Sequence, residues 1–269
     1  MKDNLTGKIH PAVVAVWAAI CAAGFLLPTV PIWGTGSVFS VSSALAPLSG
    51  IFFGPIAGAF CSAAGGFIGN LIAPHTAWMG LGTFIIGTVT AFTAGCIAWG
   101  NGPPIIIDKN GNFIVSGGII VYIIGTVLWF AQETGRKTIL LPLVSYSLGF
   151  VVMITGIIFA GKMFSSKNRL LKFPAIWLCA FGGLTGGASI GNFFSLLLYD
   201  LPGELWKALA FIQPAERALF ALGAAFIGVP LLEGLNKIGI HAGPQPLERS
   251  PSELCSSELC SAEEEINET

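Results

Sequence analysis

In the stretch "FIQPAERALFALGAAFIGVP", residues 211–230, an acid and a base stand side by side among almost wholly apolar neighbours: Glu216 and Arg217. Consecutive residues of a helix point about 100° apart, so the two cannot both face lipid comfortably. Charged groups inside membrane segments turn toward the bundle or a water-filled cavity and often mark functional sites. The chemistry open to this pair is recognition. Arg217 would contact an anionic or carbonyl group of a small molecule, while Glu216 would orient Arg217 or accept a donor. The same residues could instead be a structural pair that ties helices together.

Other polar and aromatic residues fall toward the same end of their segments: Trp33, Asn70, His75, Trp78, Trp129, Gln132 and Asn192. A buried amide in lipid needs a hydrogen-bond partner, which for Asn70 and Asn192 is either a neighbouring helix or a ligand. Tryptophans at these positions fit an interfacial belt and equally a site that stacks a flat ring. Catalytic constellations are missing. The chain has no Gly-x-x-x-x-Gly-Lys-Ser/Thr loop and no His-Glu-x-x-His. Ser189 in "GGASIG" has no histidine within an apolar segment to activate it. We therefore expect no enzyme activity, no cofactor and no metal site. Three scattered histidines also argue against a transition-metal ligand.

The elements that must position these residues follow from composition. The 269 residues are 54% hydrophobic and 10% charged, against about 25% charged in soluble domains, and the mean hydropathy is +0.78. Such a chain has lipid as its solvent. A net charge of −1 points to no nucleic-acid partner. Spans need about 17–25 apolar residues, and about eight segments qualify or nearly do: 10–27, 38–53, 55–73, 80–99, 114–132, 139–162, 173–199 and 205–232. The first follows Lys2 and Lys8 and is read as a retained span rather than a cleaved signal. Gly54-Pro55 breaks one apolar block, as a tight hairpin or a kink.

With eight spans and the N-terminus inside, Lys2, Lys8, Lys109, Lys162, Lys167, Arg169, Lys172, Lys237 and Arg249 share the inner side. Arg136, Lys137 and Lys207 lie outside, as the positive-inside rule prefers. The expected fold is an all-α, multi-pass helical bundle in the cell membrane with both termini cytoplasmic. Residues 1–239 form the bundle, and 240–269 form a disordered acidic tail in which Cys255 and Cys260 are free thiols. "NGPPIIIDKNGNF" reads as a short hairpin. Pro214 suits a first helical turn, so the last helix is expected to begin near Gln213, with the charges in its opening turn.

Small residues recur at four-residue spacing: Ala15, Ala19 and Ala23; Gly50, Gly54 and Gly58; Gly65 and Gly69; Gly183, Gly187 and Gly191. This spacing lets helix backbones approach closely in lipid. The stretch "SVSSALAPLSGIFFGPIAGAFCSAAGGFIGNLI" resembles the second and third helices of substrate-binding (S) components of energy-coupling factor (ECF) transporters. The resemblance lies in Gly50, Gly54, Pro55, Gly58 and the Asn70 end. The Ala15-Ala19-Ala23 helix and "PAERALFALGAAFIGVPLLEGLNKIG" resemble the first and last helices of that family. The likeness covers about the first 100 and the last 35 residues. Members typically have six helices, so residues 114–199 would hold additional segments around a six-helix core.

The resemblance implies a specificity subunit that binds a micronutrient, such as a vitamin-like molecule, from outside. It would work with a transmembrane coupling (T) subunit and two cytosolic ATPase subunits, docking through Ala15, Ala19 and Ala23. The alternative is a stand-alone secondary transporter or channel for a small solute. That would normally carry an internal repeat, and "SGIFFGPIAGAF" and "FGGLTGGASIGNFF" are only loosely alike.

Overall fold

A computed structural model describes residues 11–33, 35–100, 105–107, 113–166, 168–199, 201–240 and 242–244. Lys2, Lys8, His10, Asp108, Lys109, Lys167, His241 and Arg249, and the tail from 245 with Cys255 and Cys260, lie outside the described residues. The helices are α1 (Pro11–Gly24), α2 (Ser42–Phe53), α3 (Pro55–Ile72), α4 (Phe84–Ala98), α5 (Gly117–Ala131), α6 (Glu133–Lys137), α7 (Ser147–Ser165), α8 (Lys172–Leu198) and α9 (Gly203–Lys237). All but the short, charged α6 coincide with the apolar segments expected from the sequence. Five stretches are long and apolar enough to cross a membrane: Pro55–Ile72, Gly80–Ala98, Pro142–Ser165, Arg169–Leu198 and Gly203–Lys237. Helices α1, α2 and α5 are apolar but shorter. Large apolar side chains such as Phe60, Val127, Val151 and Phe226 face outward, as in an all-α membrane protein whose solvent is lipid.

Helices α4 and α8 form the centre. α4 packs on α2, α3 and α8, and α8 also packs on α7, α9 and α5. The Gly54-Pro55 break is a turn between two helices. Gly54 adopts φ 85, a left-handed conformation that a side chain would strain, and Pro55 opens α3, where a missing N–H costs nothing. The helices double back so tightly that a Cβ on Gly58 would come 2.5 Å from Gly50 Cα. The turn in its place sits on α4, where a Cβ on Gly95 would meet Pro55 Cα at 2.6 Å. Gly183 of α8 fits against α4 in the same manner, with Ala94 Cβ at 2.7 Å and Thr90 O at 2.8 Å. These glycine spacings are therefore internal packing. The first helix differs: Trp17, Ala18, Cys21 and Ala22 are buried, and Ala15, Ala19 and Ala23 are exposed.

Short strands finish the two ends. β1 (Pro28–Pro31) pairs antiparallel with β2 (Val38–Ser40) between α1 and α2, and β3 (Trp78–Leu81) precedes α4. β4 (Ile105–Ile107) pairs with β5 (Phe113–Val115) in register, which is the hairpin expected between the fourth and fifth apolar segments. At the opposite end from β1 and β2, Glu233 forms an ion pair with Arg169, Nε to Oε1 at 2.9 Å, with Lys172 Nζ at 4.0 Å. Beyond α9 the chain turns at Gly239, and Gly243 N–H donates to Phe52 O at 3.0 Å.

One local expectation fails. The last helix starts at Gly203, with Glu204 and Lys207 paired at 2.8 Å in its first turns, and Pro214 and Pro230 lie inside it. Proline removes one helical hydrogen bond, a loss that membrane helices tolerate where neighbours and local adjustment re-satisfy the backbone. Arg217 thus lies ~21 Å along a ~52 Å helix at 1.5 Å per residue, well past its opening turn.

Gly58→Ala should force α2 and α3 apart and destabilise the protein by about 1–3 kcal/mol. Gly234→Ala, with open space around it, should be neutral or slightly stabilising. Thermal unfolding of the detergent-solubilised protein compares the two.

Candidate functional site

Two adjoining chambers open within the bundle near the end that carries β1, β2 and β3. The cavity volume is about 90 Å³ in the first and about 70 Å³ in the second. The partition between them consists of Ile32, Phe39, Trp78, Ile86, Ala188 and Arg217, which line both. Apolar contacts in the first chamber come from Phe25, Phe84 and Leu184, and its polarity from hydroxyls on Ser40, Ser42, Ser43, Ser62, Thr83 and Thr90. The second adds Trp33, Asn192, Ser195, Trp206, Gln213 and Glu216.

Arg217 is the centre of this arrangement. Its side chain is 10% exposed, and its Nη1 lies 3.8 Å from Glu216 Oε2, beyond hydrogen-bond reach. Its Nε is buried without a partner, and no guanidinium nitrogen donates a hydrogen bond among the described residues. Phe39 lies under the guanidinium, its ring centroid 5.4 Å from Cζ, and is itself set edge-on against Phe220. Burying two charges in a membrane segment costs about 5–7 kcal/mol together on insertion scales. Their attraction at this distance returns about 4 kcal/mol at an effective dielectric of 20, and the cation–π contact about 0.5–2 kcal/mol. The pair is sustainable, but its hydrogen-bonding capacity is unused.

The wall behind Arg217 is tied together by side-chain hydrogen bonds. Gln213 is one turn earlier on α9 and exchanges two amide hydrogen bonds with Asn192 of α8: Nε2 to Oδ1 at 2.9 Å and Nδ2 to Oε1 at 3.0 Å. Asn192 Nδ2 also donates to Tyr146 Oη at 3.1 Å. Tyr146 ends a π-helical turn, Pro142–Tyr146, that leads into α7, and such turns often re-aim side chains. On the other side Tyr199 Oη donates to Trp78 O and the two rings lie 6.3 Å apart, which holds the β3 tryptophan at the partition.

The structure brings Trp33, Trp78, Asn192, Glu216 and Arg217 to one cavity. It sets the other candidates elsewhere. Trp129 is fully buried, donates from Nε1 to Gly135 O at 3.0 Å and packs edge-on against Trp206 at 5.0 Å, so it backs the cavity wall without lining it. Gln132 caps α5 half-buried, and His75 is exposed; neither lines a chamber. Asn70 continues the α3 face of Ser62 and Gly66, which do line the first chamber, yet its own amide is enclosed and unpartnered. Ser189 Oγ donates to Gly186 O at 2.7 Å within α8. Sequence reasoning missed Phe39, Gln213 and the hydroxyl lining. The run Ser40, Ser42, Ser43 at the head of an otherwise apolar segment was the available signal for the last; Ser62 and Thr90 carried none.

Among the described residues, no group of three or more His, Cys, Asp or Glu could hold a metal. The arrangement can bind: one cation with free donors, one carboxylate, aromatic faces and hydroxyls. No protein-family model, curated protein or solved structure matches the chain.

Asn192→Leu should destabilise the protein by about 1–3 kcal/mol by stranding the Gln213 amide. The Asn192→Leu/Gln213→Leu double variant should lose less than the sum of the two single variants. Denaturant unfolding in detergent measures that double-mutant cycle.

Proposed function

We propose that this protein is the substrate-binding membrane subunit of a small-molecule importer, energised by partner subunits and without catalysis of its own. The observation that carries the reading is Arg217: a buried guanidinium with unused donors on the wall shared by two chambers. Buried polar groups are normally paired, and a ligand supplies what the protein leaves open. A vitamin-like micronutrient with a flat ring suits the aromatic partition of Phe39 and Trp78.

The likeness of α1–α3 and α9 to S components of ECF transporters supports the same reading. In it the protein sits in the cell membrane as a multi-pass bundle of eight crossings with cytoplasmic ends, and the chambers open outward. The T subunit and its two ATPase subunits would meet α1 on the exposed face of Ala15, Ala19 and Ala23.

Purification in mild detergent followed by mass spectrometry of bound small molecules identifies the ligand. Arg217→Ala should then weaken its binding tenfold or more in protein that still folds, although loss of the charge partner of Glu216 lowers its stability; an unaltered dissociation constant would reduce the charged pair to architecture. Ala15→Leu/Ala19→Leu should abolish co-purification with the T subunit and leave ligand binding intact. A complex that still forms refutes the docking face.

A further inference from the structure

We propose that the ligand is a net-neutral zwitterion with a flat apolar body, of the aromatic amino-acid class, whose carboxylate meets Arg217 and whose ammonium meets Glu216. This rests on the binding reading above and narrows it by charge.

Among the described residues, Glu216 and Arg217 are the two charged side chains that line either chamber. Their side chains are 12% and 10% exposed, and neither makes a side-chain hydrogen bond among the described residues. At 3.8 Å they neutralise each other's charge without filling each other's hydrogen-bonding shells. A ligand that carries only an anion would satisfy Arg217 and leave the site one negative charge in excess. A ligand that carries only a cation would leave the opposite excess. An uncompensated charge in a low-dielectric interior is heavily disfavoured. A zwitterion completes both shells and keeps the sum at zero.

Placement gives the orientation. Glu216 lines the second chamber alone, whereas Arg217 lines both. The charged head therefore belongs in the second chamber against the partition. The body then extends past Phe39 and Trp78 into the first chamber, among Phe25, Phe84 and the Thr90 hydroxyl. Aromatic faces favour a flat ring there.

Three compounds that share one ring and differ only in charge test this: L-phenylalanine (zwitterion), 3-phenylpropionate (anion) and phenethylamine (cation). Calorimetric titration of the full-length, detergent-solubilised protein should show L-phenylalanine binding at least tenfold tighter than either analogue. Glu216→Gln should shift preference toward 3-phenylpropionate, and Arg217→Gln toward phenethylamine, each change confirming that its charge reads the matching group. Binding of either singly charged analogue to the unaltered protein as tightly as L-phenylalanine overturns the inference. Failure of all three to bind overturns it as well. In that case a different co-purifying small molecule would leave the binding-subunit reading standing, and none would remove that reading too.

Discussion

Close approach of helix backbones is the constraint on which this protein rests. In lipid, burial of apolar surface does not drive one helix onto another, so packing and hydrogen bonding must hold the bundle together. Gly58 over Gly50, Gly95 under Pro55 and Gly183 against Ala94 bring α2, α3, α4 and α8 within reach of one another's main chain. That compact block supplies the floor and one wall of the chambers. The other wall, α9, is held to α8 by the Asn192–Gln213 amide exchange. Aromatic and polar side chains border the cavity together with small residues, Ala46, Gly66, Gly87, Ala188 and Gly191.

The buried charges gain meaning from that frame. A pair 3.8 Å apart offsets most of the penalty of its burial, and Phe39 contributes further. Electrostatics thus permits the pair without demanding that it be structural. A purely architectural ion pair would be expected to close to hydrogen-bond distance and engage its neighbours, as Glu233 does with Arg169 at 2.9 Å near the other end of α9. Within a single helix the two pairs contrast: one closed and tying helix ends together, one open beside a cavity.

The candidate site was partly legible in the sequence. Charge in an apolar run singled out Glu216 and Arg217, and amides in apolar runs singled out Asn70 and Asn192. Segment ends located Trp33, Trp78, Trp129, Gln132 and His75 near one side of the bundle. What residue type and depth leave open is rotation about each helix axis. Trp129 faces Trp206 and the Gly135 carbonyl rather than the cavity, and Asn70 lies on a lining face of α3 with its amide enclosed. Pro214 misled for a related reason: local preference for a first turn yielded to a helix that starts earlier, at Gly203, and carries the proline within it.

By itself the sequence determined that the chain is apolar enough to live in lipid, roughly where its apolar helices lie, that Gly54-Pro55 breaks one apolar block, and that Glu216 and Arg217 cannot both face lipid. Each follows from composition or from a backbone restriction that acts within a few residues. Tertiary structure decided the rest. It assigned the glycine spacings to contacts inside the bundle and left Ala15, Ala19 and Ala23 on its outside. It paired Asn192 with Gln213, 21 residues away, and set Phe39 from β2 beneath Arg217 from α9. Those outcomes depend on how helices rotate and cross, and in a chain apolar on nearly every face no periodic pattern records that rotation.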